Sequence, residues 1–247
     1  MRQLRVAIAV VPALALAVVA SAGGMVEGAS LAAHGQVSYV RPLDARHSPY
    51  IHGNRSPRLP AGRQGRIDII KRGTYDGNSL PIVVRNNTSQ TAIRIKVTGV
   101  AKSTSGKLLA TGADQTLYPN VVKPGEIAFG YVYFSGANLP ANARFGLTAS
   151  WDRSLAQYEN IRDLVITQAA QAGDRVVGMA QNRYRVVVSG PISAGMVCFS
   201  SSSTLLGDHS DFADQDRVSA GGRLPFQVET LGDPCPVFLV GVKGFTQ

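Results

Sequence analysis

The chain has two cysteines, one tryptophan and four histidines among its 247 residues. Two cysteines cannot supply the four ligands of a structural zinc site. No histidine stands beside them to complete one, because His34, His47 and His52 all lie near the N terminus. A Ser-His-Asp hydrolase needs a histidine on its folded scaffold. Only His209 could serve, and it sits in an acidic run with no Gly-x-Ser-x-Gly elbow anywhere in the chain. The string Ser103-Thr104-Ser105-Gly106-Lys107 lacks the serine that a Ser-x-x-Lys site requires. Leu108 follows it where a phosphate loop needs Ser or Thr, so the string reads as a hairpin turn. Long segments of 3.6-residue periodicity are also missing after the N-terminal region, and period-2 patterns dominate instead.

The formal charge is +9, and its distribution decides what it means. Residues 23–73 hold eight Lys or Arg against three acids, whereas residues 153–247 hold eight against nine. The excess belongs to an N-terminal arm and not to a folded face carrying stacking aromatics. That distribution argues against nucleic acid as a partner.

Residues 1–22 have the three parts of an export signal. Arg2 and Arg5 form a positive start, Val6 to Val19 an apolar run, and Ala20-Ser21-Ala22 a small-x-small cleavage pattern. The apolar stretch of about 17 residues is short for a spanning helix of about 20. A cleaved signal peptide is expected, with an uncleaved anchor as the alternative. The expected location is therefore extracytoplasmic, either secreted or associated with the cell envelope. In an oxidising compartment Cys198 and Cys235, 37 residues apart, are most simply a disulfide, and two buried free thiols are the alternative.

Residues 23–65 read as a basic, proline-rich arm. Pro42, Pro49, Pro57 and Pro60 alternate with Arg46, Arg55, Arg58 and Arg63. Such proline density opposes helix and central strand, so an extended, solvated spacer is expected. The alternative is a tether whose arginines lie against an anionic envelope surface.

Short strands separated by turn residues fill the remainder. Ile93, Ile95 and Val97 alternate with Arg94, Lys96 and Thr98, and Phe145, Leu147, Ala149 and Trp151 alternate with Gly146, Thr148 and Ser150. Asn86-Asn87-Thr88 reads as a strand end capped by asparagine turn chemistry. The stretch Lys123-Pro124-Gly125-Glu126 turns into the strand from Ile127 to Phe134, and a fainter copy runs from Val218 to Val228. At an offset of 97, Gly125 aligns with Gly222 and Phe129 with Phe226, which suggests one β-domain written twice. The predicted organisation is all-β, with two tandem immunoglobulin-like β-sandwiches at 66–152 and 163–247. Residues 153–162 join them, with Leu155, Tyr158 and Ile161 at helix-like spacing.

The run Asn86-Asn87, Gly106-Lys107-Leu108-Leu109, Lys123-Pro124-Gly125-Glu126 and Phe129 resembles the FxLYD-type immunoglobulin-like domain of exported bacterial proteins. The first copy resembles it more closely than the second. The eponymous aromatic signature is absent, with Val97 to Lys102 in its place. The resemblance implies a binding or scaffolding module with an inward-facing Phe129, and no cofactor.

Two candidate sites remain. Asp208, Asp211, Asp214 and Asp216 surround His209 in the densest polar cluster of the chain, which could hold calcium but matches no known loop spacing. A solvated acidic loop is the plainer reading. Tyr131 and Tyr133 share the strand face opposite Val132 and Phe134, a candidate surface or inter-domain patch. No residue is identified as catalytic. The expected function is non-enzymatic binding, adhesion or scaffolding at the bacterial cell envelope, through an envelope or protein partner. The rivals are a carboxylate-dependent extracytoplasmic enzyme, using Asp114 or Glu126 with the 208–216 segment, and a membrane-anchored accessory subunit.

Overall fold

Alternating apolar and polar residues build strands along nearly the whole of the chain that the computed structural model describes, residues 50–53, 55–135, 138–152 and 160–246. Among these residues there is no helix, so none is long and apolar enough to cross a membrane. A short strand, β1 (Tyr50–His52), comes first. The first repeat follows as β2 (Ile67–Arg72), β3 (Ser79–Asn86), β4 (Ala92–Lys102), β5 (Leu108–Tyr118), β6 (Val121–Val122), β7 (Ile127–Tyr133) and β8 (Arg144–Asp152). The second contains β9 (Ile161–Ala172), β10 (Arg175–Gln181), β11 (Val188–Phe199), β12 (Leu205–Phe212), β13 (Arg217–Val218), β14 (Arg223–Glu229) and β15 (Val237–Phe245). The architecture is two tandem immunoglobulin-like β-sandwiches. The signal segment, the arm before Tyr50 and most of the join at 153–159 lie outside the described residues. Ile161 already belongs to β9 and not to a connecting helix.

The two repeats pair corresponding strands in corresponding ways. β2–β3, β3–β7, β4–β5, β4–β6 and β4–β8 are matched by β9–β10, β10–β14, β11–β12, β11–β13 and β11–β15. They differ in where the sandwich is stitched. In the first repeat β5 pairs with β7, and the sheet runs β2-β3-β7-β5-β4-β8, leaving its ends β2 and β8 unpaired with each other. In the second, β15 pairs with β9 instead, and the sheet runs β12-β11-β15-β9-β10-β14. The open seam therefore falls between different strands, β2 and β8 in the first repeat and β12 and β14 in the second.

A buried asparagine organises the same corner in both copies. Asn86 donates through Nδ2 to the carbonyls of Gln90 and Val122 and accepts from the Thr88 N–H. Asn182 donates to the carbonyls of Val186 and Val218 and accepts from the Tyr184 N–H. Gly125 and Gly221, both at positive φ, donate their N–H groups to the Asn86 and Asn182 carbonyls. These equivalences run at 96 residues, so the partner of Gly125 is Gly221, not Gly222. The offset of 97 holds for the serine turns, where Ser103 N–H donates to the Lys107 carbonyl and Ser200 N–H to that of Thr204.

That single residue matters because a one-position shift exchanges the faces of a strand. Phe226 lies in the core of its own sandwich, with Leu224 and Val228. Phe129 does not, and faces the other repeat. The true counterpart of Phe226 is Gly130, which sits opposite Ile82, whereas Phe226 sits opposite Gly178. The large and small members of this cross-strand pair are exchanged between copies. The ring of Phe226 occupies the space a side chain on Gly178 would need.

Cys198 and Cys235 form a disulfide that ties β11 to the segment before β15, consistent with an oxidising compartment. The end of the arm is not a solvated spacer. β1 pairs with β15, Pro57 is buried, Leu59 packs on the inter-repeat core, and the Arg58 N–H donates to Ser203 Oγ. Proline blocks a central strand but leaves a three-residue edge strand between Pro49 and Pro57 free to form.

Replacing Asn86 by Ala strips two carbonyls of their donor at a fully buried position. We expect Asn86→Ala to lower the unfolding free energy by about 2–3 kcal/mol, read by chemical denaturation, and Asn182→Ala to do the same. A loss below about 0.5 kcal/mol in both would show the brace to be dispensable.

Candidate functional site

The strands with apolar residues on both faces mark where the repeats meet. Residues 80–84 (Leu-Pro-Ile-Val-Val) and 237–242 (Val-Phe-Leu-Val-Gly-Val) are buried throughout, the pattern of a doubly covered strand. Val83, Tyr118, Ile127, Phe129, Val197 and Leu239 contribute to a core shared by both repeats. Its centre is Tyr118. Gly195 and Gly241 are direct partners in the β11–β15 ladder, and both lie against the Tyr118 side chain. The phenol donates to Ser193 Oγ at 2.9 Å, and Phe129 stacks on the ring at 6.2 Å between centroids. Burial pushes the Tyr118 hydroxyl pKa well above the usual phenol range, so it stays a donor.

Beside this socket is the most perturbed titratable pair in the described residues. Lys243 and Asp163 are direct cross-strand partners on β15 and β9, 9% and 5% exposed. The Asp163 carboxylate accepts from the backbone N–H groups of Asn120 at 2.9 Å and Val121 at 3.2 Å, across the repeat boundary. The Lys243 ammonium donates to Thr116 Oγ1 and to the Leu117 carbonyl, and lies 4.6 Å from the Tyr118 ring centroid. Burial lowers the Lys243 pKa to about 8 against the attraction of Asp163, and burial raises that of Asp163. A cleft of about 180 Å³ lined by Asp114, Asn120 and Lys243 opens here. Of its charged groups, Lys243 reaches across the repeat boundary, and Asp114 braces its own repeat. Asp114, raised by burial, accepts from the Val97 N–H at 2.6 Å.

Sequence reasoning singled out neither Lys243 nor Tyr118. The signal for Lys243 was a lone charge closing an otherwise apolar strand.

The acidic segment is dispersed by strand geometry. Residues 208–212 lie on β12 and not in a loop, so Asp208 and Asp211 point to opposite faces. Asp208 accepts from the Ser79 hydroxyl of the first repeat, and Asp211 from the Phe212 N–H. Asp214 and Asp216 are exposed beyond the strand, and His209 lies 3.6 Å from Asp233. Among the described residues no three His, Cys, Asp or Glu side chains gather as a metal would need. Glu126 accepts from the Lys123 N–H and closes its own turn. Tyr131 and Tyr133 continue the inter-repeat face of Phe129. Tyr131 is half-buried near Asp208, and only Tyr133, 37% exposed, emerges from it.

A groove lies at the open seam of the first repeat. Phe145, Leu147, Ala149 and Trp151 of β8 face the core yet remain half-buried, and Tyr75 and the Arg72 guanidinium lie against the Phe145 ring. Two adjoining clefts of about 450 and 640 Å³ run between β2 and β8 and share Arg66, Ile67 and Ala149. The rim is cationic, with Arg63, Arg66 and Arg72 on the β2 side against Asp68, while the Lys71 ammonium donates to the Ser203 carbonyl of the second repeat. Arg63 and Arg66 lie 2.9 and 3.7 Å from that carboxylate, which their hydrogen bonding and charge hold below the usual range.

The approach to β2 is fixed by hydrogen bonds to Asn87. Gly65, at φ +77°, donates its N–H to the Asn87 carbonyl, and the Asn87 side chain donates to the carbonyls of Ala61 and Arg63. These bonds tie residues 61–65 to Asn87 at the end of β3.

Two outcomes follow from the interface. A methyl group on Gly241 would meet Tyr118 at 2.8 Å, so Gly241→Ala should cost about 1–3 kcal/mol of stability, measured by denaturation. An unchanged midpoint would show that the socket is not tight. Burial pushes the Asp208 carboxyl up to about 6 from its ordinary value near 3.8, partly offset by the Ser79 hydrogen bond. The folded state then binds this proton more tightly, so its contribution is full below about pH 4 and is lost as pH rises through about 6. Asp208→Asn should flatten that part of the stability profile, and an identical slope in the variant would contradict the assignment. Compared with known proteins, the chain matches no family model and no curated protein sequence.

Proposed function

We propose that the protein is an exported, non-enzymatic binding protein of the bacterial cell envelope, and that the groove between β2 and β8 is its binding face. The observation that carries this reading is the contrast between the copies. The counterpart of this seam in the second repeat is closed by strand pairing, whereas here a core-facing row of side chains stays half-buried beneath a cationic rim. Such a concave strip with an apolar floor and polar margins suits a protein or peptide partner.

Export is supported by the leader-like first 22 residues and by the disulfide. The resemblance to FxLYD-type domains, which look like binding or scaffolding modules, points the same way. The enzyme reading loses support because Asp114 and Asp163 bond backbone N–H groups, Asp208 bonds Ser79, and Glu126 closes a turn.

A photo-crosslinking side chain placed at Ala149 in the groove, and separately at exposed Thr111 on β5, tests the assignment in envelope-producing cells. A discrete adduct formed from position 149 and absent from position 111 is expected. The same adducts from both positions, or none from either, would remove the groove as the binding face.

A further inference from the structure

Strand β8 presents a backbone edge to which no described strand is hydrogen-bonded. It pairs with β4 alone among the described strands. The Phe145 carbonyl accepts from Arg72 Nη1 at 3.2 Å, which places the polar backbone groups of Phe145 on the side away from β4. In an antiparallel ladder these directions alternate, so Leu147 and Ala149 direct theirs to the same open side. The edge is nine residues long, about 30 Å at 3.4 Å per residue. It is also unbulged from Ile95–Trp151 to Lys102–Arg144, unlike β2, whose ladder with β3 is irregular between Ile69 and Lys71.

The second repeat shows what such an edge accepts. Val100 and Val197 occupy the same position in the two copies and pair with Gly146 and Leu239, so β15 residues 239–245 correspond to β8 residues 146–152. On β15, residues 242–245 pair with the start of β9, and residues 239–241 pair with β1, an extended segment arriving from outside the sandwich. On β8 neither stretch is paired with a described strand on its outer side.

From this geometry we infer that the β2–β8 groove accepts an extended, acidic segment of a partner protein, which adds to the outer edge of β8 as a further antiparallel strand. The inference rests on the proposed binding role of the groove and names the chemistry of what binds. Main-chain hydrogen bonds to β8 supply the pairing, and alternate apolar side chains cover Phe145, Leu147 and Ala149. The remaining side chains face the rim, where Arg63, Arg66 and Arg72 outnumber Asp68 and select carboxylates. Arg72 acts as a placeholder. Its guanidinium holds the Phe145 carbonyl where a backbone N–H of the incoming strand would donate, and lies 5.8 Å from the Phe145 ring centroid.

Two other occupants fit less well. The chain's own residues 37–49 carry Pro42, Pro49, Arg41 and Arg46, and so bring like charge and missing donors. A second copy joined edge to edge would bring two cationic rims together.

The test uses the full chain and a synthetic nine-residue peptide alternating Glu with Val, read by fluorescence anisotropy and amide hydrogen exchange. The Glu peptide should bind at least about tenfold more tightly than the same peptide with Lys in place of Glu, a difference of about 1.4 kcal/mol. It should also slow exchange at the Leu147 and Ala149 amides. The Arg66→Glu, Arg72→Glu double variant should reverse the preference, and N-methylation of alternate peptide amides should abolish binding. Equal binding of the Glu and Lys peptides, full binding of the N-methylated one, or no protection on β8 would each overturn the inference. If neither peptide binds while the adduct at position 149 persists, the groove remains a binding face and the acidic strand is wrong. If the adduct is also lost, both fail. Protection of β8 in the free chain that disappears on deleting residues 23–49 would assign the groove to the arm. A dimer abolished by Ala149→Arg would assign it to a second copy.

Discussion

The arrangement depends on one contact, the seating of Tyr118 on paired glycines. Gly195 and Gly241 face each other across the β11–β15 ladder, and their missing side chains leave a recess one ring wide in an otherwise filled sheet. A tyrosine entering it brings β5 of one sandwich against β11 and β15 of the other. The neighbouring positions then fall into place. Leu239 and Val237 precede Gly241 on the same face and meet Phe129 and Ile127, while Lys243 follows it and reaches Thr116 and Leu117. Burying an ammonium and a carboxylate costs several kcal/mol each unless both are bonded. Asp163 collects three N–H contacts and Lys243 two oxygen acceptors from the opposing repeat. Such a pair penalises any other docking angle, because misplacement would leave two charges buried without partners. Apolar packing supplies contact area, and the polar pair fixes register.

This interface also accounts for the different stitching of two similar sandwiches. β15 carries the shared core on one face and its own core on the other, so it is buried along nearly its whole length. An edge buried there would leave backbone groups without water or partners, and pairing with β9 and β1 satisfies them. β8 has no sandwich on its outer face, and its exposed residues Gly146, Thr148 and Ser150 meet solvent. Its edge can remain open without orphaned groups, since water reaches it. The closed seam follows from docking, and the open one from its absence.

Much of the fold was legible because strand patterns are local. The alternation of Phe145, Leu147, Ala149 and Trp151, the turns at Ser105-Gly106 and Pro124-Gly125, and the capping role of Asn86 all depend on neighbours within a few residues. Even the difference between β8 and β15 was written plainly, as alternation against a continuous apolar run. Three things were not. The equivalence of Phe129 and Phe226 failed because the two copies differ by one residue of spacing, and identity cannot see which face a side chain occupies. The acidic segment looked like a loop because charge counts ignore pairing, and β11 turned residues 208–212 into a strand. The groove was invisible because it arises from two strands about 75 residues apart in the chain.

An open strand edge is a liability, since it templates pairing with any extended chain. Natural edges are blunted by charge, and this one has cations along its rim and a guanidinium already bound to an edge carbonyl. Those features discourage a second copy, because like rims repel over the few ångströms at which strands must pair. They discourage the basic arm for the same reason. They do not discourage every strand, because an acidic one gains from the field that excludes the others, and on displacing Arg72 it frees a cation to meet its own carboxylates. The groups that protect the edge from aggregation would thus also select the ligand proposed for it. A merely protective design would be served equally well by a bulge, a proline or lysines pointing outward, and none of these would need the recessed apolar floor that Phe145, Leu147 and Ala149 provide.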